Sequence, residues 1–90
     1  MSLNPLFTKS FNRDVKRCRK RGKDMDKLQI ILDRLIEECP LPDKNREHSL
    51  QGNWAGHLEC HIESDWLLIY RIEPPEILFE RTGSHSDLFD

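Results

Sequence analysis

The spacing of apolar residues along this chain changes once, from a helical period in the first half to an alternating, strand-like period in the second. Residues 3–7 are predicted to form a short strand. Apolar residues at three- and four-residue spacing then predict a helix within residues 8–22, capped by a threonine or serine and stopped by a glycine. A broader apolar stripe predicts a second helix within residues 24–40. These two helices are expected to form a hairpin.

The second half of the chain reads as short strands. From residue 54 onward apolar and polar residues alternate up to a tight turn at residues 63–65. Residues 66–72 are the most strand-like segment, and residues 77–81 supply another strand. A serine and an aspartate spaced as a capping box predict a terminal helical turn at residues 84–89. Helices in one half and an antiparallel meander in the other predict an α+β fold, with the helical hairpin covering one sheet face.

Length and composition narrow the class of protein. Ninety residues suit a single domain, residues 1–90, with one modest core. The longest apolar run, residues 66–70, is too short for a membrane span, and no apolar signal region is seen at the N-terminus. We therefore expect a cytoplasmic protein without a membrane partner. Three cysteines without CxxC spacing indicate reduced, mostly structural thiols.

The net charge of -2 conceals a strong segregation of charge along the chain. Residues 9–23 contain eight lysines and arginines against a single acid, Asp14, so the remainder is strongly acidic. Such a basic segment predicts a surface that meets phosphate backbones or an acidic partner protein. The alternative is an ordinary solvated helix face, and charge density alone does not decide between the two.

The strand half also carries the residue types that metal-free cleavage of RNA requires. That reaction needs a base for the 2′-hydroxyl, a cation for the transition state and an acid for the departing 5′-oxygen. The candidates for these roles are His48, His61, Asp65, Arg81 and His85. Period two places Glu59 and His61 on one face of their strand, and strand pairing is expected to bring Arg81 and His85 beside His61. Trp66 and Phe89 are candidates for stacking on bases.

Two other interpretations of these residues remain open. Each histidine taken singly is equally consistent with a surface or half-buried structural residue, Arg81 and Asp65 with a simple ion pair, and Trp66 with the core. His57, Cys60 and His61 are suitable zinc or iron ligands within a short span. The strand period weakens that metal site, because it points Cys60 away from both histidines.

Four segments together resemble one known family. They are KRGKDMDKL at 20–28, EHSLQGNW at 47–54, HIESDWLLIY at 61–70 and FERTGSHSDLF at 79–89. The chain is similar to the YafQ type of RelE-superfamily toxins. The resemblance implies a ribosome-dependent endoribonuclease, or mRNA interferase, that cuts messenger RNA in the ribosomal A site without a cofactor or metal. It also implies a RelE-like microbial RNase fold with a helical hairpin against a curved antiparallel sheet.

The same resemblance implies partners and residue roles. A DinJ-like antitoxin of the RelB family would neutralise the toxin, with operator DNA as a further partner through that complex. The family's functional residues fall on His48, His61, Asp65, Trp66, Arg81, His85 and Phe89, with Glu59 as an assisting acid. The implied roles are Asp65 or His61 as base, His85 as acid, Arg81 on the scissile phosphate, His48 as an orienting or charge-stabilising group, and Trp66 and Phe89 as walls of the nucleotide pocket.

One property departs from the resemblance. Toxins of this group are usually basic, as expected for proteins that dock on ribosomal RNA, whereas this chain is slightly acidic. A second functional class therefore stays open, in which a catalytically weak toxin fold acts mainly as antitoxin partner and transcriptional co-repressor.

Overall fold

The computed structural model describes residues 2–90 and confirms the α+β class, with helices on both faces of one five-stranded sheet. The strands are β1 (Asn4–Phe7), β2 (His48–Ser49), β3 (Leu58–Glu63), β4 (Trp66–Glu73) and β5 (Glu76–Gly83). The helices are α1 (Lys9–Lys20), α2 (Met25–Ile36) and α3 (His85–Phe89). The predicted helical hairpin corresponds to α1 and α2, and the predicted terminal turn to α3.

The helix boundaries follow the predicted capping residues at three of four ends of the hairpin. Thr8 caps α1 and Asp24 caps α2, each by accepting a backbone N–H bond in the first turn, and α1 ends just before the predicted glycine stop. Helix α2 ends at Ile36 rather than at Pro40. The helix stops early because Glu38 adopts a left-handed backbone conformation, with φ of 59°.

The sheet is mixed, with strand order β1-β5-β4-β3-β2. The β2–β3, β3–β4 and β4–β5 pairs are antiparallel, the last two as predicted, but β1 pairs parallel with β5. The prediction of a wholly antiparallel sheet is therefore wrong for this edge. After β1 the chain forms the helical hairpin and then returns to the sheet at the opposite edge, as β2. The last strand, β5, therefore lies next to β1. The spacing of neighbouring residues cannot predict such a long-range pairing.

Strand β4 is buried on both faces, because residues two apart in a strand point the same way. Trp66, Leu68 and Tyr70 face the main core, which α1 and α2 cover with their apolar stripes. Leu67 and Ile69 face the other side, where they pack with Leu88 of α3. Leu88 thereby fixes α3 on the face opposite the helical hairpin.

Two further elements differ from the expected pattern. The connection between α2 and β3 contains a two-residue strand, β2, that pairs with β3 and that no pattern in the sequence predicts. The next strand begins at Leu58 rather than at Trp54, because residues 52–54 form a 3-10 turn. None of the helices within residues 2–90 has the length and apolar character of a membrane span.

Candidate active site

Five ionisable side chains gather on the sheet face that carries α3, and we call them the histidine cluster. Its members are His48 on β2, Glu59 and His61 on β3, Asp65 in the β3–β4 turn, and His85 at the start of α3. Strand register brings them together. His48 pairs with Glu59, and His61 pairs with Leu67, which in turn pairs with Gly83 just before α3. The predicted convergence of His85 with His61 and Asp65 is thus present in the structure.

Glu59 lies between two imidazoles. Its Oε1 is 3.2 Å from His48 Nε2 and 3.7 Å from His61 Nε2, and the side chain is almost fully buried. The Nδ1 atoms face backbone carbonyls, that of Arg46 for His48 at 2.8 Å and that of Ser64 for His61 at 3.3 Å. Both ring nitrogens of each histidine therefore face acceptors. Glu59 thereby links the two rings and fixes their orientation.

His85 is held by Asp65 at the other end of the cluster. Asp65 Oδ1 accepts both the backbone N–H of His85 at 2.9 Å and its Nδ1 at 3.0 Å. These two bonds hold the pKa of Asp65 below its usual value, the backbone bond contributing most. Because a carboxylate only accepts, Nδ1 of His85 carries a proton and Nε2 is left for proton transfer.

His61 and His85 are close enough to act on one group. The His61 and His85 ring centroids are 6.2 Å apart, as are those of His48 and His61. Rings at this spacing can both reach a single phosphodiester seated in front of them. Two imidazoles with different hydrogen-bond partners at such a distance provide the acid and the base that transesterification needs.

Arg81 is bound elsewhere. Its Nε and Nη2 donate to the carboxylate of Asp14 at 2.7 and 3.2 Å, and none of its bonds within residues 2–90 reaches the histidine cluster. In register, Arg81 pairs with Ile69 and Ile69 with Glu59, so one strand separates Arg81 from the cluster. The expected placement of Arg81 beside His61 is therefore wrong in this structure. β1 pairs only with residues 76–79 of β5. Beyond that point the carboxylate of Asp14 contacts β5, and the Arg81 side chain is directed to it.

The two aromatic candidates differ in exposure. Trp66 is 1% exposed and faces the main core, where its indole N–H donates to Thr82 Oγ1 at 3.0 Å. The prediction that Trp66 stacks on a base is wrong, since its position in β4 turns the ring toward the helices. Phe89 is 44% exposed and its ring centroid lies 6.1 Å from that of His85. Phe89 thus offers an accessible aromatic face next to the cluster.

Sequence reasoning missed the residues that anchor the loop before β3. Asn45 is buried, and its Nδ2 donates to the carbonyl of His61 at 2.8 Å. Tyr70 is fully buried and donates its hydroxyl to Glu47. Burial is the main cause that raises the pKa of Tyr70, so the hydroxyl stays a donor. These two bonds anchor Asn45 and Glu47, the residues just before His48, and thereby position it. No local pattern in the sequence marks either bond.

Asp14 is a further residue whose role was not predicted. It is 2% exposed and accepts bonds from Arg81, from Arg17 Nη2 at 2.7 Å and from the backbone N–H of Thr82 at 3.1 Å. Its carboxylate therefore ties α1 to β5. The one signal in the sequence is that Asp14 is the single acid in the basic segment.

Part of the cluster has the geometry of a metal site. His48, Glu59 and His61 offer three ligand atoms that lie within 4.8 Å of one another, a donor set suited to zinc or copper. The ligand set considered from sequence does not form. Cys60 faces the main core and burial raises its pKa to about 12, while His57 Nε2 lies 2.8 Å from Glu80. Ligand spacing along the chain was misleading because alternate residues of β3 face opposite sides.

Comparison with known proteins agrees with this fold. The sequence profile of a family described as bacterial toxin of type II toxin-antitoxin system, YafQ, matches residues 3–90. The mRNA interferase toxin YafQ of Escherichia coli strain K12 is 43% identical over 84 residues, which cover 92% of this chain and 91% of the relative. The chain is a member of the YafQ family of type II toxins.

Solved structures show the same fold. The E. coli DinJ-YafQ toxin-antitoxin complex contains a chain that superimposes with a TM-score of 0.93 at 40% identity, with both chains fully covered. A metal-bound toxin from Helicobacter pylori gives a TM-score of 0.89 at 35% identity, covering 99% of this chain and all of the other.

Proposed function

We propose that this protein is a cytoplasmic mRNA interferase, a ribosome-dependent endoribonuclease that cuts messenger RNA in the ribosomal A site. The observation that carries the proposal is the histidine cluster, in which His61 and His85 lie 6.2 Å apart with different carboxylate partners. Membership of a family that includes an E. coli mRNA interferase supports it. The chemistry is a metal-independent attack of the 2′-hydroxyl on the adjacent phosphorus.

The proton transfers follow from the hydrogen bonds. His85 is the general acid, because Asp65 holds its Nδ1 proton and stabilises the imidazolium, leaving Nε2 to protonate the 5′-oxygen. Asp65 is a poor base, since two N–H donors lower its pKa. His61 is the better candidate for the base that takes the 2′-hydroxyl proton. Glu59, which lies between His48 and His61, is proposed to stabilise the positive charge that His61 gains with the proton.

Arg81 and Phe89 complete the proposed site. The Nη1 of Arg81 makes no hydrogen bond within residues 2–90, and the side chain is 26% exposed. Its backbone lies two strand spacings from Glu59, roughly 10 Å. We therefore propose that Nη1 of Arg81 binds the RNA backbone while Nε and Nη2 stay bound to Asp14. Phe89 is proposed to stack on a base beside His85.

The partners proposed for the toxin are a DinJ/RelB-type antitoxin, the ribosome with its messenger RNA, and operator DNA through the antitoxin complex. A relative of the same fold is seen in a complex with DinJ. Purified protein, with ribosomes and a translated message, should cut within codons in the A site, and expression should arrest growth until the antitoxin is supplied. Harmless overexpression of the folded protein would instead support the co-repressor alternative.

The basic segment gives a salt-dependent prediction. Arg17 and Arg21 form ion pairs with Asp14 and Asp87, whereas Arg13, Lys16 and Lys20 of α1 are exposed. If these free cations dock on ribosomal RNA, replacing Lys16 and Lys20 by glutamate should weaken ribosome binding at least about tenfold and flatten its salt dependence.

The control for that measurement is Arg71→Glu, which reverses an exposed charge at the far end of β4. It should leave both the affinity and the salt slope near those of the unaltered protein. Ribosome binding of the unaltered protein that does not change between low and high salt would contradict electrostatic docking through α1.

The metal geometry gives a second prediction. Zn²⁺ or Cu²⁺ should bind His48, Glu59 and His61 and inhibit cleavage, because coordination occupies the imidazole of His61, the proposed base. A structure of an H. pylori toxin of this fold contains metal. Calorimetry should show the site lost in His48→Ala and kept in His57→Ala. A chelator that removes transition metals but spares Mg²⁺ for the ribosome should leave activity intact, and its loss would mean that the metal is required.

A further inference from the structure

A small notch of about 190 Å³ lies where helix α1 meets the edge of β5, and we call it the arginine notch. Four of its wall residues belong to α1 and the fifth to β5: Ser10, Arg13, Asp14, Arg17 and Arg81. In register Arg81 pairs with Ile69, which packs with Leu88 on the sheet face that carries α3. Paired residues of neighbouring strands share a face. The arginine notch therefore borders the face on which the histidine cluster lies.

The wall of the arginine notch has an excess of positive charge. Three guanidinium groups line it, against the single carboxylate of Asp14. Oδ1 of Asp14 accepts from Arg17 Nη2 at 2.7 Å and from Arg81 Nη2 at 3.2 Å. Oδ2 accepts from Arg81 Nε at 2.7 Å and from the backbone N–H of Thr82 at 3.1 Å. Since a carboxylate has about four acceptor positions, Asp14 has none left for the remaining donors of the wall.

Other acids leave this excess of charge in place. Asp87 Oδ2 is 3.8 Å from Arg17 Nη2, but the Asp87 carboxylate accepts two shorter bonds from Arg21, at 2.7 and 3.1 Å. Arg13 is exposed and has no ion pair within residues 2–90. The positive charge of the wall is therefore available to an anionic ligand.

Two guanidinium groups of the wall are held in place with donors to spare. The Nη1 atoms of Arg17 and Arg81 make no hydrogen bond within residues 2–90, and the two side chains are 37% and 26% exposed. Their Nη2 atoms bind the same oxygen of Asp14, so these atoms lie at most about 6 Å apart. Because a buried carboxylate fixes both groups, little side-chain freedom is lost when an anion binds. Fixed guanidinium donors are the usual partners of a phosphate.

From these contacts we infer that the arginine notch binds one phosphate of the RNA chain, next to the scissile phosphate, an inference that rests on the proposed function. The phosphate oxygens accept from Nη1 of Arg17 and Nη1 of Arg81, and Arg13 adds a third positive charge from α1. The backbone of Arg81 lies roughly 10 Å from that of Glu59 in the cluster. A phosphate in the notch is therefore a neighbour of the scissile phosphate, and Arg17 and Arg13 are positioning residues for the RNA.

Other occupants fit the arginine notch less well. A base needs a larger site, since small-ligand pockets have about 300–1,000 Å³, and the wall offers no apolar or aromatic side chain to its face. The carboxylate of an acidic partner protein matches the charge of the wall. The position of the notch favours RNA, because a chain with its scissile group in the histidine cluster carries further phosphates along the same sheet face. Binding of an acidic partner is therefore an outcome of the test.

The test removes single charges from the RNA and measures binding apart from cleavage. Short RNA oligonucleotides with a 2′-deoxy residue at the scissile position are titrated into the protein at low salt, with each linkage in turn replaced by an uncharged methylphosphonate. At one linkage beside the scissile one, this replacement should lower the affinity of the unaltered protein about tenfold. The double variant Arg13→Gln/Arg17→Gln should bind the unmodified oligonucleotide about tenfold more weakly and lose nothing further at that linkage.

Two single variants serve as controls. Arg19→Gln removes an exposed arginine of α1 that lies outside the notch, and it should keep the full loss at the one sensitive linkage. Arg13→Gln changes an exposed side chain, so it should reduce that loss while the free energy of unfolding stays unchanged. This second result separates a lost phosphate contact from a folding defect.

The contrary results are distinct from one another. Equal losses at every linkage, or no binding at low salt, would overturn the phosphate site. The site would also be overturned if the double variant bound the oligonucleotides normally but bound vacant ribosomes or an acidic antitoxin more weakly. Position-specific oligonucleotide binding by a protein that cuts no message on ribosomes would refute the proposed function while leaving the phosphate site in place.

Discussion

Replacing His85 by alanine is expected to lower the rate of message cleavage by about 10²- to 10⁴-fold, the usual contribution of a positioned acid. Asp65 accepts a hydrogen bond from the Nδ1–H of His85, so the ring presents Nε2 to the leaving 5′-oxygen. Single-turnover cleavage on programmed ribosomes measures the loss directly. Cleavage by His85→Ala at the rate of the unaltered protein would eliminate His85 as the acid.

A substrate change separates loss of the acid from loss of structure. A message with sulfur in place of the scissile 5′-oxygen releases a thiolate, which needs little protonation because thiols ionise near neutral pH. His85→Ala should therefore cleave this message nearly as fast as the unaltered protein does. Ser86→Ala, which alters the neighbouring exposed residue of α3, should show no defect with either message. A persistent defect of His85→Ala on the sulfur message would indicate a structural role instead.

Replacing Asp14 by alanine is expected to lower the free energy of unfolding by about 3 kcal/mol, because it leaves the buried backbone N–H of Thr82 without an acceptor and removes the anionic partner of Arg17 and Arg81. The side chain is 3% exposed and bonds to Arg17, Arg81 and the backbone of fully buried Thr82. The free energy of unfolding of a small domain is about 5–15 kcal/mol in all, so the loss would be a large share of the stability. Denaturant unfolding measured by tryptophan fluorescence gives the value.

The control for Asp14 is Asp33→Ala, which removes an exposed acid of α2. It should change stability by no more than about 0.5 kcal/mol, as surface substitutions usually do. A loss of that small size in Asp14→Ala would contradict the view that Asp14 ties α1 to β5. Asp14→Asn keeps the shape without the charge and separates the ionic contribution from the hydrogen bonds.

Features of the fold that depend on neighbouring residues were predictable from sequence. The capping residues Thr8 and Asp24 start α1 and α2, and the Ser84–Asp87 capping box starts α3. Period two placed Glu59 and His61 on one face of β3, opposite Cys60. These signals act within one element, so the spacing of residues suffices to detect them.

Features that depend on contacts between distant segments were not predictable in the same way. The parallel pairing of β1 with β5 and the capture of Arg81 by Asp14 both join residues about seventy positions apart. Trp66 is an aromatic residue at the edge of the site, and only the direction of its side chain from β4 shows that it belongs to the core. The resemblance to toxins indicated side chains of which the fold brings His48, Glu59, His61, Asp65 and His85 together, without showing which of them are accessible.

The central claim is that the histidine cluster cleaves RNA by attack of the 2′-hydroxyl at the scissile nucleotide. The most direct measurement uses a message in which that single nucleotide, within the A-site codon, is 2′-deoxy. The purified toxin should no longer cut at this position on the ribosome, and the all-RNA message should yield a 2′,3′-cyclic phosphate end. Cleavage of the 2′-deoxy message at the same position and rate would contradict it.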